Sequence, residues 1–267
     1  RPTTPRMNSR RQELCIFTNL LSSAANTAEA LRFLFTEATK SSPGKMNCTL
    51  PQMLASTGVQ SVLLSNHGRW GSLDGTETFL FSGCRTLLFL SEKRLSKPWY
   101  DDALLPFLDR VLELPARAST VIFLHLYGSH QSASERYPAW FPPFPPEHIR
   151  HSYDLANPLK MSNHYDNSIA FTDVLLDRVI QRLQPLKRPT MMVYLSDHGE
   201  SVNSSSIRNA ADASTWEIPM ICWFSAEFRN RHPDTVRRTE EQQFLPWTTD
   251  RLLPLLLRLF RVDGYES

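Results

Sequence analysis

The sequence lacks a hydrophobic run long enough to cross a bilayer, which takes about 20 residues. The longest candidate, Leu252 to Phe260, is interrupted by Pro254 and Arg258. The opening residues, Arg1 to Pro5, are not followed by the apolar core of a signal peptide. We therefore expect no membrane span within these residues, and the abrupt start suggests a piece of a longer protein.

An excess of charge of one sign is also absent. The 267 residues carry 29 Lys and Arg against 27 Asp and Glu, a net charge of +2. This balance gives no electrostatic argument for binding nucleic acid or an anionic membrane surface. We expect a monomer that does not bind nucleic acid.

Cysteine is scarce, and the four cysteines form no Cys-x-x-Cys metal motif. Cys15 and Cys222 lie inside apolar runs, which predicts buried thiols. Cys48 and Cys84 lie in loop-like surroundings. They could pair in an oxidising compartment or remain free thiols.

Short, nearly continuous apolar runs recur between polar loops, as in strands that are covered on both faces of a parallel sheet. They are Leu14–Phe17, Ser61–Leu64, Thr86–Leu90, Val121–Leu126, Met191–Leu195 and Met220–Phe224. Helical patterns alternate with them at Tyr100–Leu114, Ser162–Leu183 and Trp247–Phe260, the last bent or split by Pro254. The proline-rich segment Tyr137–Pro146 is typical of a surface loop. The pattern predicts a single α/β domain, residues 1–267, with a mainly parallel sheet sandwiched by helices.

Polar side chains follow three of the predicted strands, where open α/β sheets place their sites. Asp197 and His198 follow the fifth run, His130 follows the fourth, and a hydroxyl-rich stretch ending at Thr27 follows the first. A carboxylate and an imidazole side by side suit a divalent cation, with Gly199 allowing the backbone to turn around it. Each residue also has an ordinary interpretation as a helix cap or a satisfied loop histidine.

Several strings, in order along nearly the whole chain, resemble the phosphoethanolamine transferases of the sulfatase and alkaline phosphatase superfamily. Tyr194–Glu200 resembles their Asp-His-Gly-Glu signature, and Asn163–Asp173 resembles their N-x-Y-D-N-S-I-x-Y-T-D helix. Leu126–His130 ahead of Arg136–Pro138 resembles their G-S-H loop and R-Y-P string. The resemblance implies an alkaline-phosphatase-like fold on the periplasmic side of the bacterial inner membrane, with membrane association through a segment upstream of Arg1.

The resemblance also implies roles for the site residues. Thr27 is the expected nucleophile, attacking phosphatidylethanolamine to form a phosphoethanolamine-threonine intermediate that passes to a lipopolysaccharide or related glycan. Thr27, Asp197 and His198 are the expected ligands of Zn²⁺, with Mn²⁺ or Mg²⁺ as alternatives. His130 is expected to contact the phosphoryl group or to protonate the leaving alkoxide.

The sequence departs from the family pattern in ways that keep two alternatives open. The family's glutamate ligand lies on a strand upstream of Arg1, and no histidine occurs between His198 and His232, where members usually offer one. One alternative is a metal-dependent hydrolase of sulfate or phosphate esters, although Asn26–Arg32 lacks the proline of the sulfatase nucleophile motif. The other is a degenerate domain that binds glycan or headgroup without catalysis.

Overall fold

The computed structural model describes residues 2–68, 78–90, 99–115, 119–130, 132–145, 158–200 and 213–260, without the side chains of residues 158–161. Its helices are α1 Pro5–Ser9, α2 Thr27–Phe35, α3 Leu50–Ser56, α4 Leu105–Glu113, α5 Pro158–Leu183, α6 Ala226–Arg231, α7 Pro233–Gln242 and α8 Leu253–Leu259. Its strands are β1 Leu14–Phe17, β2 Leu20–Leu21, β3 Gln60–Ser65, β4 Thr86–Phe89, β5 Thr120–His125, β6 Met191–Leu195, β7 Met220–Phe224 and β8 Trp247–Thr248. The six predicted strands are therefore present, with ends shifted by at most one residue.

The strands form two three-stranded sheets and a small parallel pair, β2 with β8. In one sheet, β3 lies between β4 and β5, and both pairings are parallel. In the other, β7 lies between β1 and β6 and runs antiparallel to both. The α/β class is confirmed, and β7 is the strand that reverses direction.

The two three-stranded sheets lie in one layer, because alternate residues of both contribute to the same two cores. Phe17, Leu63 and Cys222 share the first core, which α2, α6, α7 and α8 cover. Val62 and Trp223 belong to the second core, which α1, α4 and α5 cover. This alternation follows from the period of two along a strand, so each strand is buried on both faces by helices.

A large cavity separates the facing edges of β5 and β6. Its volume is about 1850 Å³, and both strands line it along their length, together with α2 and α8 from one face and α4 and α5 from the other. No residue of β5 is fully buried, whereas five of the six residues of β3 are. We call this cavity, between Thr120–His125 and Met191–Leu195, the β5–β6 cleft.

The helix predicted over Trp247–Phe260 is wrong in its first half. Trp247 and Thr248 pair with β2, and only Leu253–Leu259 is α-helical. Pro254 lies in the first turn of α8, where a missing N–H costs nothing, so it starts the helix and does not bend it. The prediction was made from apolar periodicity alone, which does not show that Trp247 and Thr248 pair with another strand.

Other predictions for single segments have mixed outcomes. Tyr100–Leu114 divides into a 3₁₀ turn, Asp101–Leu104, and α4. Cys15 and Cys222 are buried, as predicted, while Cys48 and Cys84 are free thiols. Residues 137–145 contain neither helix nor strand, and Pro146 lies outside the described residues.

Candidate active site

The carboxyl ends of β3, β5 and β6 meet at one edge of the layer. The His67 ring, just after β3, stacks on the ring of His125, the last residue of β5, with centroids 4.0 Å apart. The charge of Asp197, just after β6, acts on His67 and contributes to its pKa. The sheet therefore brings the polar residues of separate strand ends together, as the sequence predicts.

Thr27 and His198 are in direct contact at this edge. Thr27 Oγ1 lies 3.4 Å from His198 Nε2, and the same nitrogen lies 3.6 Å from Asp197 Oδ2. His198 is 9% exposed, so its ring is held within the protein. Two oxygen atoms, one from Thr27 and one from Asp197, thus lie within 3.6 Å of His198 Nε2.

The tautomer of His198 suits a metal ligand. Its Nδ1 lies 2.8 Å from the Gly199 carbonyl oxygen, which can only accept, so Nδ1 carries the hydrogen. In the neutral ring Nε2 then keeps its lone pair, directed at Thr27 and Asp197. The backbone carbonyl is the outer-shell partner that metal-binding histidines usually have.

The two separations about His198 Nε2 are compatible with ligands of one zinc ion. Tetrahedral zinc with bonds of about 2.0–2.1 Å places neighbouring ligand atoms roughly 3.3 Å apart. The separations of 3.4 Å and 3.6 Å about His198 Nε2 are close to that value. Among the described residues, no group of three or more His, Cys, Asp or Glu side chains could hold a metal ion, and the Thr27 hydroxyl is the third polar group beside Asp197 and His198.

The loop that carries Asp197 and His198 is fixed by serine hydroxyls and by a close backbone contact. Ser22 Oγ donates to the Asp197 carbonyl oxygen at 2.6 Å, and Ser196 Oγ donates to that of His198 at 2.7 Å. A Cβ atom on Gly199 would overlap the carbonyl oxygen of Ser214. Gly199 is therefore required by close packing, and its φ is not among the positive ones.

Thr27 is the first residue of α2. Asn26 caps the helix, its Oδ1 accepting from the Glu29 N–H at 3.1 Å, which relieves Thr27 of the capping role considered for it. The hydroxyl therefore remains available at the helix N-terminus, where the helix dipole favours an anionic group.

His130 lies at the end of a loop that a buried carboxylate holds. Asp101 is 5% exposed and accepts from the N–H groups of Tyr127 at 3.0 Å and Gly128 at 2.8 Å. Asn66 Nδ2 donates to the same carboxylate at 2.8 Å. Gly128 has a φ of +57°, which glycine adopts without strain. His130 lines the same cavity as Thr27, Asp197 and His198.

His67 is a buried neighbour of the site. Its ring lies between those of His125 and Tyr127, at centroid distances of 4.0 Å on each side, and the Arg136 guanidinium lies over Tyr127 at 4.3 Å. Nε2 donates to the Leu126 carbonyl oxygen at 3.0 Å. Burial lowers the pKa of His67 to about 4, so the imidazole is neutral near pH 7.

Asp101, Ser22 and His67 had no assigned role from the sequence. Asp101 lies 26 and 27 residues from its two backbone partners, so no local pattern connects them. Ser22 was visible only as one of several hydroxyls before α2. Opposite Gly199, the segment Ala213–Glu217 presents Ser214 and Glu217 to the cavity where the family pattern would offer a histidine.

No helix among the described residues is both long and apolar enough to cross a membrane. The "Sulfatase" family model matches residues 1–260. The phosphoethanolamine transferase EptA of Helicobacter pylori is 30% identical over 243 residues, which cover 87% of this chain and 45% of that protein. The chain thus spans less than half the length of this relative.

Solved structures of similar proteins have the same fold as this chain. The C-terminal periplasmic domain of EptC from Escherichia coli, in complex with zinc, superposes with a TM-score of 0.87 at 24% identity, covering 99% of this chain and 78% of that one. The corresponding domain of Campylobacter jejuni EptC superposes with a TM-score of 0.79 at 26% identity, covering 100% and 84%. The fold and the match over residues 1–260 lead to one conclusion: the chain belongs to the sulfatase family, and its relatives include phosphoethanolamine transferases.

Proposed function

We propose that this chain is the catalytic part of a zinc-dependent phosphoethanolamine transferase on the periplasmic side of the bacterial inner membrane. The observation that carries the proposal is the cluster of Thr27 Oγ1, His198 Nε2 and Asp197 Oδ2, with separations of 3.4 Å and 3.6 Å about the histidine nitrogen. A hydroxyl at a helix N-terminus beside a carboxylate and an unprotonated imidazole nitrogen suits nucleophilic attack on a phosphoryl group. The kinship with enzymes named for this activity supports the same conclusion.

Thr27 would attack the phosphorus of phosphatidylethanolamine. Thr27 Oγ1 gives up its proton and bonds to phosphorus, and the bond from phosphorus to the glycerol oxygen breaks. Diacylglycerol leaves after that oxygen takes up a proton, so no net proton is gained or lost. A hydroxyl of lipopolysaccharide or a related glycan then loses its proton and attacks the same phosphorus. The bond from phosphorus to Thr27 Oγ1 breaks, and the threonine oxygen takes up a proton. A divalent ion such as zinc, when bound, would supply positive charge that favours the threonine alkoxide.

Residues of this chain would bind the ion, position the Asp197 loop and stabilise the phosphoryl group. Asp197 and His198 would hold the ion together with Thr27, and Ser22 would keep the Asp197 loop in register with α2 through its hydrogen bond to the Asp197 carbonyl. The N-terminus of α2 would stabilise the anionic phosphoryl group. His130 would contact that group or protonate the leaving oxygen.

The acceptor would approach along the loop of residues 137–145. Asn167 binds both the N–H and the carbonyl oxygen of Phe144, at 2.9 Å each, and Tyr137 Oη lies 2.6 Å from His164 Nδ1. These contacts hold the loop against the first half of α5. Tyr165, in that half of the helix, lines the cavity. The loop presents Trp140, which is 73% exposed, as a surface for a large acceptor.

The test is to incubate the full-length protein with phosphatidylethanolamine carrying a fluorescent acyl chain. We expect fluorescent diacylglycerol, together with one phosphoethanolamine group on the peptide that contains Thr27, detected by mass spectrometry. Release of free phosphoethanolamine without transfer to added lipopolysaccharide would favour the hydrolase alternative. Binding of the lipid with neither product would favour the non-catalytic one.

A further inference from the structure

We propose that Tyr127 and His67 are positioning residues, which fix the ring of His130 in the site through a stack of planar groups. The stack, here called the planar column, consists in order of the side chains of Arg136, Tyr127, His67 and His125. This inference rests on the proposed function, in which His130 contacts the phosphoryl group or protonates the leaving oxygen.

The base of the planar column is built on two paired strands. His125 is the last residue of β5 and lies opposite Ser65, the last residue of β3. Ser65 is fully buried, and its Oγ lies 3.1 Å from His125 Nδ1. The same oxygen accepts from the backbone N–H of His67 at 3.1 Å. One serine hydroxyl thus joins the His125 ring and the His67 backbone at the end of a central strand pair.

The middle of the planar column is the His67 ring. Its centroid lies 4.0 Å from those of His125 and Tyr127, at interplanar angles of 6° and 16°, so the three rings are nearly parallel. Its Nε2 donates to the Leu126 carbonyl oxygen at 3.0 Å, which holds one edge of the ring. Because the ring is covered on both faces and held at an edge, it defines the plane in which the Tyr127 ring can lie.

The Tyr127 ring transmits this position to His130. One face of the ring packs on His67, and the Arg136 guanidinium lies over it at 4.3 Å from the centroid, a cation–π contact. The His130 ring stands nearly perpendicular to Tyr127, at 73° and a centroid distance of 6.3 Å, within the range of attractive edge-to-face pairs. These contacts are made by the ring of Tyr127, so a phenylalanine could make them too.

The backbone also connects Tyr127 to His130. The His130 N–H donates to the Tyr127 carbonyl oxygen at 3.2 Å and closes a β-turn over residues 127–130. Asp101 holds the start of this turn through the N–H groups of Tyr127 and Gly128. Tyr127 and His130 both line the β5–β6 cleft. A displaced Tyr127 therefore moves a turn whose last residue is His130.

His67 acts through Tyr127 and not as a metal ligand or an acid. Among the described residues, it belongs to no group of three or more His, Cys, Asp or Glu side chains that could hold a metal ion. Its Nε2 hydrogen is bonded to the Leu126 carbonyl oxygen. Burial lowers the pKa of His67 to about 4, so near pH 7 its Nδ1 carries no proton to donate.

The experiment measures kcat for phosphoethanolamine transfer by the full-length protein and its variants. Tyr127→Leu removes the flat ring and should lower kcat about 100-fold, the effect of a shift of about 1 Å in a catalytic group. Tyr127→Phe keeps the ring, so this matched control should retain most of the wild-type kcat. An equal kcat for Tyr127→Leu and the wild type would overturn the proposal.

A second pair of variants tests the middle of the planar column and serves if Tyr127→Leu does not fold. His67→Phe and His67→Leu both lose the hydrogen bond to Leu126, so both should lower the melting temperature. Only His67→Leu also loses the stacked ring, and we expect it alone to lower kcat about 10-fold or more. Equal kcat values for the two variants would contradict a role for stacking.

Combining Tyr127→Leu with His130→Ala separates positioning from a general structural defect. If Tyr127 acts through His130, the double variant should have the same kcat as His130→Ala alone, because the group to be positioned is already absent. A further drop of about 100-fold in the double variant would show that Tyr127 acts elsewhere, and the proposal would be wrong.

Failure of the proposed function would be recognised separately, because the wild-type protein would then show no transfer. Crystal structures of the wild type and Tyr127→Leu would decide the positioning role in that case. A His130 ring displaced by about 1 Å or more in the variant would support the proposal, and an unchanged His130 ring would overturn it.

Discussion

Thr27 and His198 face each other across the edge of the sheet, with the hydroxyl oxygen 3.4 Å from Nε2. Thr27 is positioned by the start of α2, and His198 by the loop after β6. Asp197 Oδ2 lies 3.6 Å from the same nitrogen, and Ser22 binds the Asp197 carbonyl oxygen. The segments that follow β2 and β6 are thus joined by side-chain contacts at the point where the chemistry is proposed.

Replacing Thr27 with alanine should reduce phosphoethanolamine transfer by about 10⁴-fold or more, as removal of a nucleophile does. The melting temperature should stay close to that of the wild type, because Asn26 and not Thr27 caps α2. Thr27→Ser, which keeps a hydroxyl, is the matched control and should retain measurable transfer. Substantial activity in Thr27→Ala would move the nucleophile to a neighbour such as Ser22 or Ser23.

The sequence could predict the site residues that follow strands, but not those that act through contacts with residues distant in the sequence. The strands β1, β6 and β7 have the predicted bounds, because short apolar runs between polar loops reveal them directly. Asp197, His198 and Thr27 could be proposed together because strand ends in an α/β sheet meet at one edge. Asp101 could not be assigned, because its role arises from hydrogen bonds to residues distant in the sequence.

Replacing His130 with alanine should lower turnover by about 10²-fold to 10⁴-fold, the usual range for loss of a general acid or base. Zinc content should change less, because we place His130 on the phosphoryl group and not on the ion. Elemental analysis of the purified variant beside Asp197→Asn checks this distinction. A loss of zinc as large as in Asp197→Asn would make His130 a metal ligand.

Replacing Asp101 with asparagine should destabilise the protein by about 1–3 kcal/mol, because the amide cannot accept from all three of its buried donors. Asp102→Asn is the matched control. Asp102 is partly exposed and lies 3.5 Å from Arg178, so its loss should cost less than about 1 kcal/mol. Urea denaturation of the three proteins measures the difference, and equal midpoints for both variants would argue against a structural role for Asp101.

The stability of the folded protein should fall as the pH drops from about 6.5 to about 4, in part because of His67. Burial lowers the pKa of His67 to about 4 in the folded protein, while the unfolded chain takes up this proton near pH 6.5. The unfolded state therefore binds more protons across this window, and the free energy of unfolding decreases by about 1.4 kcal/mol per pH unit for this one group. His67→Gln, which cannot titrate, should show a shallower decrease in denaturation experiments at pH 7, 6, 5 and 4.5. An identical pH profile for the variant would mean that His67 titrates normally in the folded protein.

Replacing Gly199 with alanine should damage the site more than a surface glycine substitution does. A Cβ atom at position 199 would overlap the Ser214 carbonyl oxygen and would lie 3.1 Å from that of Glu217, so either the segment Ala213–Glu217 or the His198 loop must move. Such overpacking costs about 1–3 kcal/mol. A shift of even about 1 Å in catalytic groups can lower turnover about 100-fold. Gly44→Ala is the control, because a Cβ atom there meets nothing within 4 Å. We expect Gly199→Ala to lose both stability and transfer, and Gly44→Ala to lose neither. If Gly199→Ala keeps full transfer, the close contact between Gly199 and Ser214 does not position His198, and the serine hydrogen bonds alone must hold the loop.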